Sequence, residues 1–284
     1  MNAASDATPA PGTEVQEARA SAFRGRLLAH FSYHKCLTLY FQRVMQRLAT
    51  EFGFAWLPFY DDATGFAEAA LGRGDARLLV LTDSDTVPWQ ALPEFRGSHF
   101  VRDLRDLVVS GYHYHLWTRE AWCTAPGFPW HRYTDRPEFA WVEPDRSQRP
   151  TAGSYQSYLQ QLGSERGLLM EMLFRTPCIE QLRRWDFGRE DILELRYEDV
   201  VGNEEAAFSR LFEHYGFTPS AAARGSELVR EFRLENQPRR ERTHVRSGAS
   251  GQWRAHFTPR HVDCAKALFG DVLTRLGYED SDGW

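Results

Sequence analysis

Short apolar runs alternate along the chain with longer stretches whose apolar positions recur at helical spacing. Residues 27–31 (LLAHF) read as a buried strand, and from Thr38 onward Leu39, Val44, Met45 and Leu48 fall close to a helical period. Residues 54–59 predict a second strand and 61–71 a short helix with an acidic start, closed by a turn at Gly72, Gly74 and Asp75. RLLVLT (77–82) has the continuous apolar character of a parallel strand buried on both faces. Residues 98–101 predict another strand and 102–117 a helix. Further helices are expected over 155–162 and 164–185, the second interrupted near Pro177. DILELRYEDVV (191–201) holds a strand running into a turn, and helices follow over 206–215, 219–234 and about 258–276. Strands alternating with helices indicate βαβ units and a parallel sheet, and no internal repeat is present.

Residues 118–153 break this rhythm. They hold Trp122, Trp130, Tyr133 and Trp141 among Pro126, Pro129, Pro137, Pro144 and Pro150, with no clear period. So long a stretch without regular structure predicts either a loop that covers a bound organic molecule or a local aromatic minicore.

Composition narrows the function classes. At 284 residues the chain can bury one substantial core, and 42% hydrophobic with 26% charged residues is ordinary for a globular protein. Residues 1–22 lack an apolar block and read as a disordered tail, leaving 23–284 as the folded domain. No stretch approaches the roughly 18 consecutive apolar residues of a membrane span. These features predict a cytoplasmic protein. The net charge of −5 argues against nucleic acid or a polyanionic polysaccharide as the main partner. The cysteines Cys36, Cys123, Cys178 and Cys264 are scattered without a C-x-x-C pair, so neither a zinc site nor a disulfide framework is indicated.

The stretch with the clearest chemistry is the loop 32–37 between the first strand and the first helix. A helix start offers unpaired N–H groups and the positive end of the dipole, a favourable place for phosphate. Lys35 adds a mobile cation and Thr38 a hydroxyl. Only Lys35 and Lys266 are lysines, in a chain with 34 Lys+Arg, so a lysine here points to a need for a compact charge. An ordinary strand-to-helix turn with a snorkelling lysine would read the same way, and the pattern G-x-x-x-x-G-K-[ST] is absent. Cys36 is either a thiol activated at a helix start or a small loop filler. At the end of the 77–82 strand, Asp83 and its polar neighbours stand where an open α/β sheet faces its ligand crevice, or they form a turn.

Read together with HFVRDLRDLVVSGYHYH (99–115), this loop resembles the sulfotransferases that use 3′-phosphoadenosine 5′-phosphosulfate (PAPS). The resemblance spans roughly 25–280 and rests on segments in the family's order. KCLTL is similar to the 5′-phosphosulfate loop, whose core is Lys-Ser-Gly-Thr-Thr; Lys35 and Thr38 match, while Cys36, Leu37 and Leu39 stand for Ser, Gly and the second Thr. Arg102 and Ser110 stand at the spacing of the 3′-phosphate motif, an arginine at a strand end and a serine two helical turns on. RYEDVV resembles a segment whose tyrosine packs near the adenine, which implies Tyr197. RSGASGQWRAHFT (246–258) is similar to the C-terminal loop that wraps the 3′-phosphate, which implies Arg246, Ser247 and Gly248.

The resemblance implies an α/β three-layer sandwich of P-loop NTPase-like type, with a central parallel sheet of about four to five strands. It implies sulfuryl transfer from PAPS to a hydroxylated small or medium-sized acceptor, with adenosine 3′,5′-bisphosphate released and no metal required. Lys35 is then the candidate for stabilising charge on the leaving oxygen. Many family members carry a histidine base in a Lys-Thr-His context. Here that place reads Leu81, Thr82, Asp83, which makes Asp83 the first candidate base, ahead of His113 and His34. Two other classes stay open: a P-loop-type nucleotide kinase, and a PAPS-binding protein without catalysis. Oligomeric state is not legible in the sequence.

Overall fold

The computed structural model describes residues 22–23, 27–72, 76–233, 236, 249–281 and 283–284. Its strands are β1 (Leu27–Ser32), β2 (Ala55–Tyr60), β3 (Arg77–Thr82), β4 (Arg96–Val101) and β5 (Ile192–Arg196). They form one sheet in the order β2-β3-β1-β4-β5, with every pairing parallel. The helices in chain order are α1 (Thr38–Phe52), α2 (Ala63–Leu71), α3 (Leu104–His115), α4 (Ala121–Thr124), α5 (His131–Thr134), α6 (Tyr155–Phe174) and α7 (Thr176–Arg184). They continue with α8 (Tyr197–Val200), α9 (Glu204–His214), α10 (Pro219–Glu231), α11 (Trp253–His256) and α12 (Pro259–Arg275).

The three layers follow from the period of two along the strands. Leu27, Ala29 and Phe31 of β1 join Leu79 and Leu81 of β3 and Phe66 and Ala70 of α2 in one apolar cluster. Leu28, Leu78 and Val80 point the other way, into a larger core shared with α1, α3, α6, α9, α10 and α12. Successive strand side chains face opposite sides, so a sheet covered on both faces needs unbroken apolar strands, which is why RLLVLT is legible as one. From β1 the chain runs outward to β2 and back to β3, then crosses β1 to reach β4 and β5. The carboxyl ends around β1 therefore border the crevice where such sheets bind ligands.

Several boundaries differ from the sequence pattern for identifiable reasons. Helix α3 starts at Leu104, after Arg102, because the Asp103 side chain caps it by accepting the Arg105 N–H. The interruption expected near Pro177 is present as a break between two helices: α6 ends at Phe174 and α7 begins at Thr176, with Pro177 in the first turn, where its missing N–H costs nothing. The break inside α6 falls at Gly163 (φ 66°). Residues 118–153 are not structureless, since they hold α4, α5 and short 3₁₀ turns. Trp130, Tyr133, Phe139 and Val142 are buried in the main core, behind a surface whose prolines hide any period. The predicted tail lies outside the described residues up to 21. Ala22 is buried and Phe23 packs against Phe54 and Phe217, so the fold already includes them. No described helix is long and apolar enough to cross a membrane.

Candidate active site

The turn from β1 to α1 is held by one carbonyl. The Tyr33 oxygen accepts the Cys36 N–H at 3.0 Å and the Thr38 hydroxyl at 3.1 Å. Tyr33 is itself fixed in the core, its hydroxyl 3.1 Å from His99 Nε2, while His99 Nδ1 lies 2.7 Å from Glu194. Lys35 (φ 73°) and Leu37 (φ 57°) both adopt the left-handed conformation. Leu37 is also the N-cap of α1. The backbone thus keeps the hand that glycine would adopt freely, at a cost of about 1–2 kcal/mol for a leucine. Residues of that hand turn successive N–H groups into an anion-binding concavity, and the first turn of α1 adds its own N–H groups and dipole. The Cys36 side chain is fully buried, and burial pushes its thiol pKa far up. It fills the loop from behind and is no nucleophile.

Across the loop, Arg102 follows β4 directly. Its Nη1 donates to the Lys35 carbonyl at 2.9 Å, and its guanidinium stacks 4.0 Å over the Tyr197 ring. Only 5% of Arg102 is exposed, its Nε has no partner, and Glu198 feels its charge without forming an ion pair with it. Ser110 lies on α3 and lines the same cavity. Between them on that helix, the buried Asp106 carboxylate accepts the N–H groups of Gly251 (2.5 Å) and Trp253 (2.9 Å). This brings the C-terminal segment against α3 and places Gln252 on the cavity wall. Arg246, Ser247 and Gly248 lie outside the described residues.

At the end of β3, Asp83 (φ 57°) donates its N–H to Ser32 O, and its Oδ1 accepts the His34 N–H at 2.8 Å. Burial pushes its carboxyl up to about 6, aided by Asp61 and Glu171 and opposed by Arg175 and the His34 N–H. Lys35 is pulled down to about 8, first by burial and then by the positive charges of Arg175 and Arg102. Its ammonium sits 3.9 Å over the Tyr114 ring. The His34 ring packs against His115 and Tyr114 on the cavity wall. His113 does not line the cavity; it packs against His256 on another side of α3.

One cavity of about 860 Å³ therefore gathers His34, Lys35, Leu37, Thr38, Leu39, Asp83, Arg102, Ser110 and Tyr197. A sulfotransferase domain model matches residues 98–277, well over half of the chain. The chain belongs to the sulfotransferase family. The matched stretch holds Arg102, Ser110 and Tyr197 and begins after the Lys35 loop and Asp83. No curated protein matches the chain. Similar solved structures include mouse sulfotransferase SULT7A1 complexed with PAP, at 14% identity over 89% of this chain and 87% of that one, with a TM-score of 0.48. Retinol dehydratase is similar too, in complexes with androsterone and the inactive cofactor PAP (TM-score 0.46) and with retinol and PAP (TM-score 0.45). In both cases the identity is 14%, over 93% of this chain and 85% of the other.

The rest of this sulfotransferase's cavity is built from Trp122 and Tyr133, which the sequence marks as possible cover for a bound molecule, and from residues that it does not single out. Tyr60 and Asp61 come from the end of β2, Trp122, Phe128, Arg132 and Tyr133 from 118–153, and Phe174 and Arg175 from the α6–α7 junction. Arg175 is buried, and its Nη2 donates to Glu171 Oε1 at 2.6 Å. The other oxygen of Glu171 meets His115 Nδ1 at 2.8 Å and the Tyr155 hydroxyl at 2.7 Å. A signal was present in the sequence: Glu171 and Arg175 stand four apart in the apolar stretch LLMEMLFRT, the spacing of a helix pair, and charges there are buried in pairs.

Proposed function

We propose that the protein transfers the sulfuryl group of PAPS to a hydroxyl of a small or medium-sized organic acceptor and releases adenosine 3′,5′-bisphosphate. The observation that carries this reading is the convergence, on one cavity, of two separate cation sites built for anions. One is Lys35 above the start of α1. The other is Arg102, a buried guanidinium stacked on Tyr197 with no carboxylate partner among the described residues. A buried charge left unpaired costs several kcal/mol, and a terminal phosphate would supply the missing partner. Tyr197 beside it offers a flat wall for the adenine, and Ser110 a hydroxyl for the same phosphate. Cys36, Leu37 and Leu39 shape the 5′ cradle through their backbone, and Arg246, Ser247 and Gly248 would close the 3′ side.

PAPS supplies a sulfuryl group already activated by its phosphate leaving group. In the transfer, the acceptor oxygen bonds to sulfur as the bond from sulfur to the bridging phosphate oxygen breaks, and the hydroxyl proton goes to Asp83. Oδ1 of Asp83 is held by the His34 N–H, which leaves Oδ2 to take the proton. A carboxyl near 6 is ionised at neutral pH and still basic enough to accept it during bond formation. Lys35 stabilises the charge that grows on the leaving oxygen. Trp122, Phe128, Tyr133 and Phe174 seat the apolar or aromatic body of the acceptor, and 118–153 serves as the lid that carries most of them. The cysteines are all free and buried, which fits a reducing compartment, and we read the protein as cytoplasmic.

Membership of the sulfotransferase family favours this reading over a nucleotide kinase, and the poised Asp83 favours it over a binding protein without catalysis. Labelled PAPS offered with small phenols, alcohols and heparan-like polymers tests it. Transfer to one or more small hydroxylated compounds is expected. Robust labelling of the polymers with none of the small acceptors would overturn the acceptor class, and no transfer with firm PAPS binding would leave a binding protein.

A further inference from the structure

The buried Arg175 makes no use of most of its donors. Its Nη2 is spent on Glu171, while Nε is buried without a partner and Nη1 has no acceptor among the described residues. Glu171 is fully buried and is also occupied by His115 and Tyr155, so the pair is fixed on one side and cannot turn away from the cavity. Helix α3 is shaped to admit it. A Cβ on Gly111 would come within 2.1 Å of Glu171 Oε1 and 2.2 Å of Arg175 Nη2, so only glycine beside Ser110 lets this helix approach the pair so closely. What little of Arg175 is exposed lines the cavity, together with Phe174, Pro177 and Cys178.

The charges around it point the same way. Arg175 is near enough to Asp83 to oppose the rise of its pKa, and near enough to Lys35 to help lower that of the ammonium. Lys35, Arg43, Arg102, Arg132 and Arg175 line the cavity with the acids Asp61, Asp83 and Glu120, and of these cations Arg175 and Arg102 stand near enough to Lys35 to crowd its ammonium. Such crowding is unfavourable in the absence of an anion and is relieved by one. Arg102 is committed to the Tyr197 side of the site.

We infer that the guanidinium of Arg175, fixed by Glu171 beside Lys35 and Asp83, forms a second oxyanion site that grips the non-bridging oxygens of the transferred sulfuryl group. This rests on the sulfuryl transfer proposed above. The planar fork of Arg175 holds the group in line between the leaving oxygen and the acceptor hydroxyl, and it stabilises the charge carried by the sulfuryl oxygens as the bonds exchange. It also gives Glu171 a role in positioning, since that carboxylate sets the direction of the fork.

The test compares PAPS with adenosine 3′,5′-bisphosphate, which differs by the sulfuryl group alone, on the parent protein, Arg175→Gln and Arg175→Lys. Calorimetry gives both affinities, and rapid-quench single turnover with labelled PAPS gives the transfer rate. For Arg175→Gln the inference predicts PAPS binding weakened by about tenfold or more, bisphosphate binding within about threefold of the parent, and transfer slowed by about a hundredfold. Arg175→Lys keeps the charge and the Glu171 contact but not the fork, so it should bind the bisphosphate normally and transfer at an intermediate rate. If Arg175→Gln loses its cooperative unfolding transition, Arg175→Lys decides the matter. Equal weakening of both ligands, or parent-like selectivity and rate in the folded variant, overturns the inference. A parent protein that neither binds the bisphosphate nor transfers sulfate would instead contradict the proposed function, a different failure from that of a working parent with an indifferent Arg175→Gln.

Discussion

The two halves of the cavity are built in different ways. The half around Lys35, Arg102, Ser110 and Tyr197 comes from segments at the ends of β1, β4 and β5, and its key contacts run through backbone atoms: Tyr33 O, Lys35 O and the start of α1. The half around Asp83, Trp122, Tyr133, Phe174 and Arg175 is assembled from distant parts of the chain and held by side chains, above all the Glu171 cluster. A half held through backbone atoms should keep its geometry when side chains change, which makes Cys36, Leu37 and Leu39 the positions to test. A side-chain-built half is free to vary with its acceptor, and single substitutions there should alter turnover more than cofactor binding.

The largest effect is expected at Asp83. Asp83→Asn keeps an oxygen for the His34 N–H but cannot take a proton, so single-turnover transfer at saturating PAPS should fall by about a hundredfold or more. Parent-like transfer, with His34→Gln or His113→Gln slowed instead, would move the base out of this half. The pH profile carries the same assignment. In the parent, kcat/KM should rise as pH passes about 6 and Asp83 ionises, then fall above about 8 as Lys35 loses its proton. Asp83→Asn should lose the acidic limb alone. Next in size is Lys35→Ala, for which loss of a charge-assisted contact of about 1.5–3 kcal/mol should lower turnover by roughly 10–100-fold and bisphosphate affinity by less. A variant with near-normal turnover would remove Lys35 from the transition state.

A smaller effect is expected on stability. The folded Asp83 carboxyl holds its proton up to about 6, whereas its ordinary value is 3.8, so the folded state keeps a proton that the unfolded chain releases between these values. Stability therefore falls as pH rises through that window, and the full cost of the buried charge stands above it. Asp83→Asn should raise unfolding stability at pH 7.5 by about 1–2 kcal/mol, after allowance for water admitted by the cavity, and should flatten the slope between pH 4 and 6. Urea unfolding at both pH values checks this, and a destabilised variant would show the carboxylate to be structural. The smallest effect belongs to the backbone-built half. Leu37→Gly relieves a left-handed leucine but loosens the unfolded chain, so stability should change by no more than about 1 kcal/mol and bisphosphate affinity by no more than about threefold. A tenfold loss would show that the leucine side chain, rather than the hand of the backbone, shapes the cradle.

This difference in construction also explains what was legible in the sequence. The Lys35 loop, Arg102 with Ser110, and Tyr197 lie on contiguous segments at strand ends, and the runs read as 27–31 and 98–101 located the ends of β1 and β4 to within a residue. Leu37 obscured the glycine position because the backbone conformation survives there without glycine. His113 shares a helix with Ser110, but at three residues apart it turns toward His256 instead of the cavity. Arg175 was hidden because its meaning depends on Gly111 and His115, about sixty residues away in the chain, although the interruption beside it was marked by Pro177. The aromatic residues of 118–153 were visible as a group, yet their division between core and cavity wall depends on short helices that the prolines conceal.

The most direct test of the account is a calorimetric titration of the parent and Arg102→Ala with adenosine 3′,5′-bisphosphate, adenosine 5′-phosphate and ATP. The parent should prefer the bisphosphate to both of the others. Arg102→Ala should weaken the bisphosphate by about 1.5–3 kcal/mol while leaving adenosine 5′-phosphate almost unchanged. Equal weakening of the two adenosine phosphates, or a parent that prefers ATP, would contradict the claim that this cavity is built around a 3′-phosphorylated sulfuryl donor.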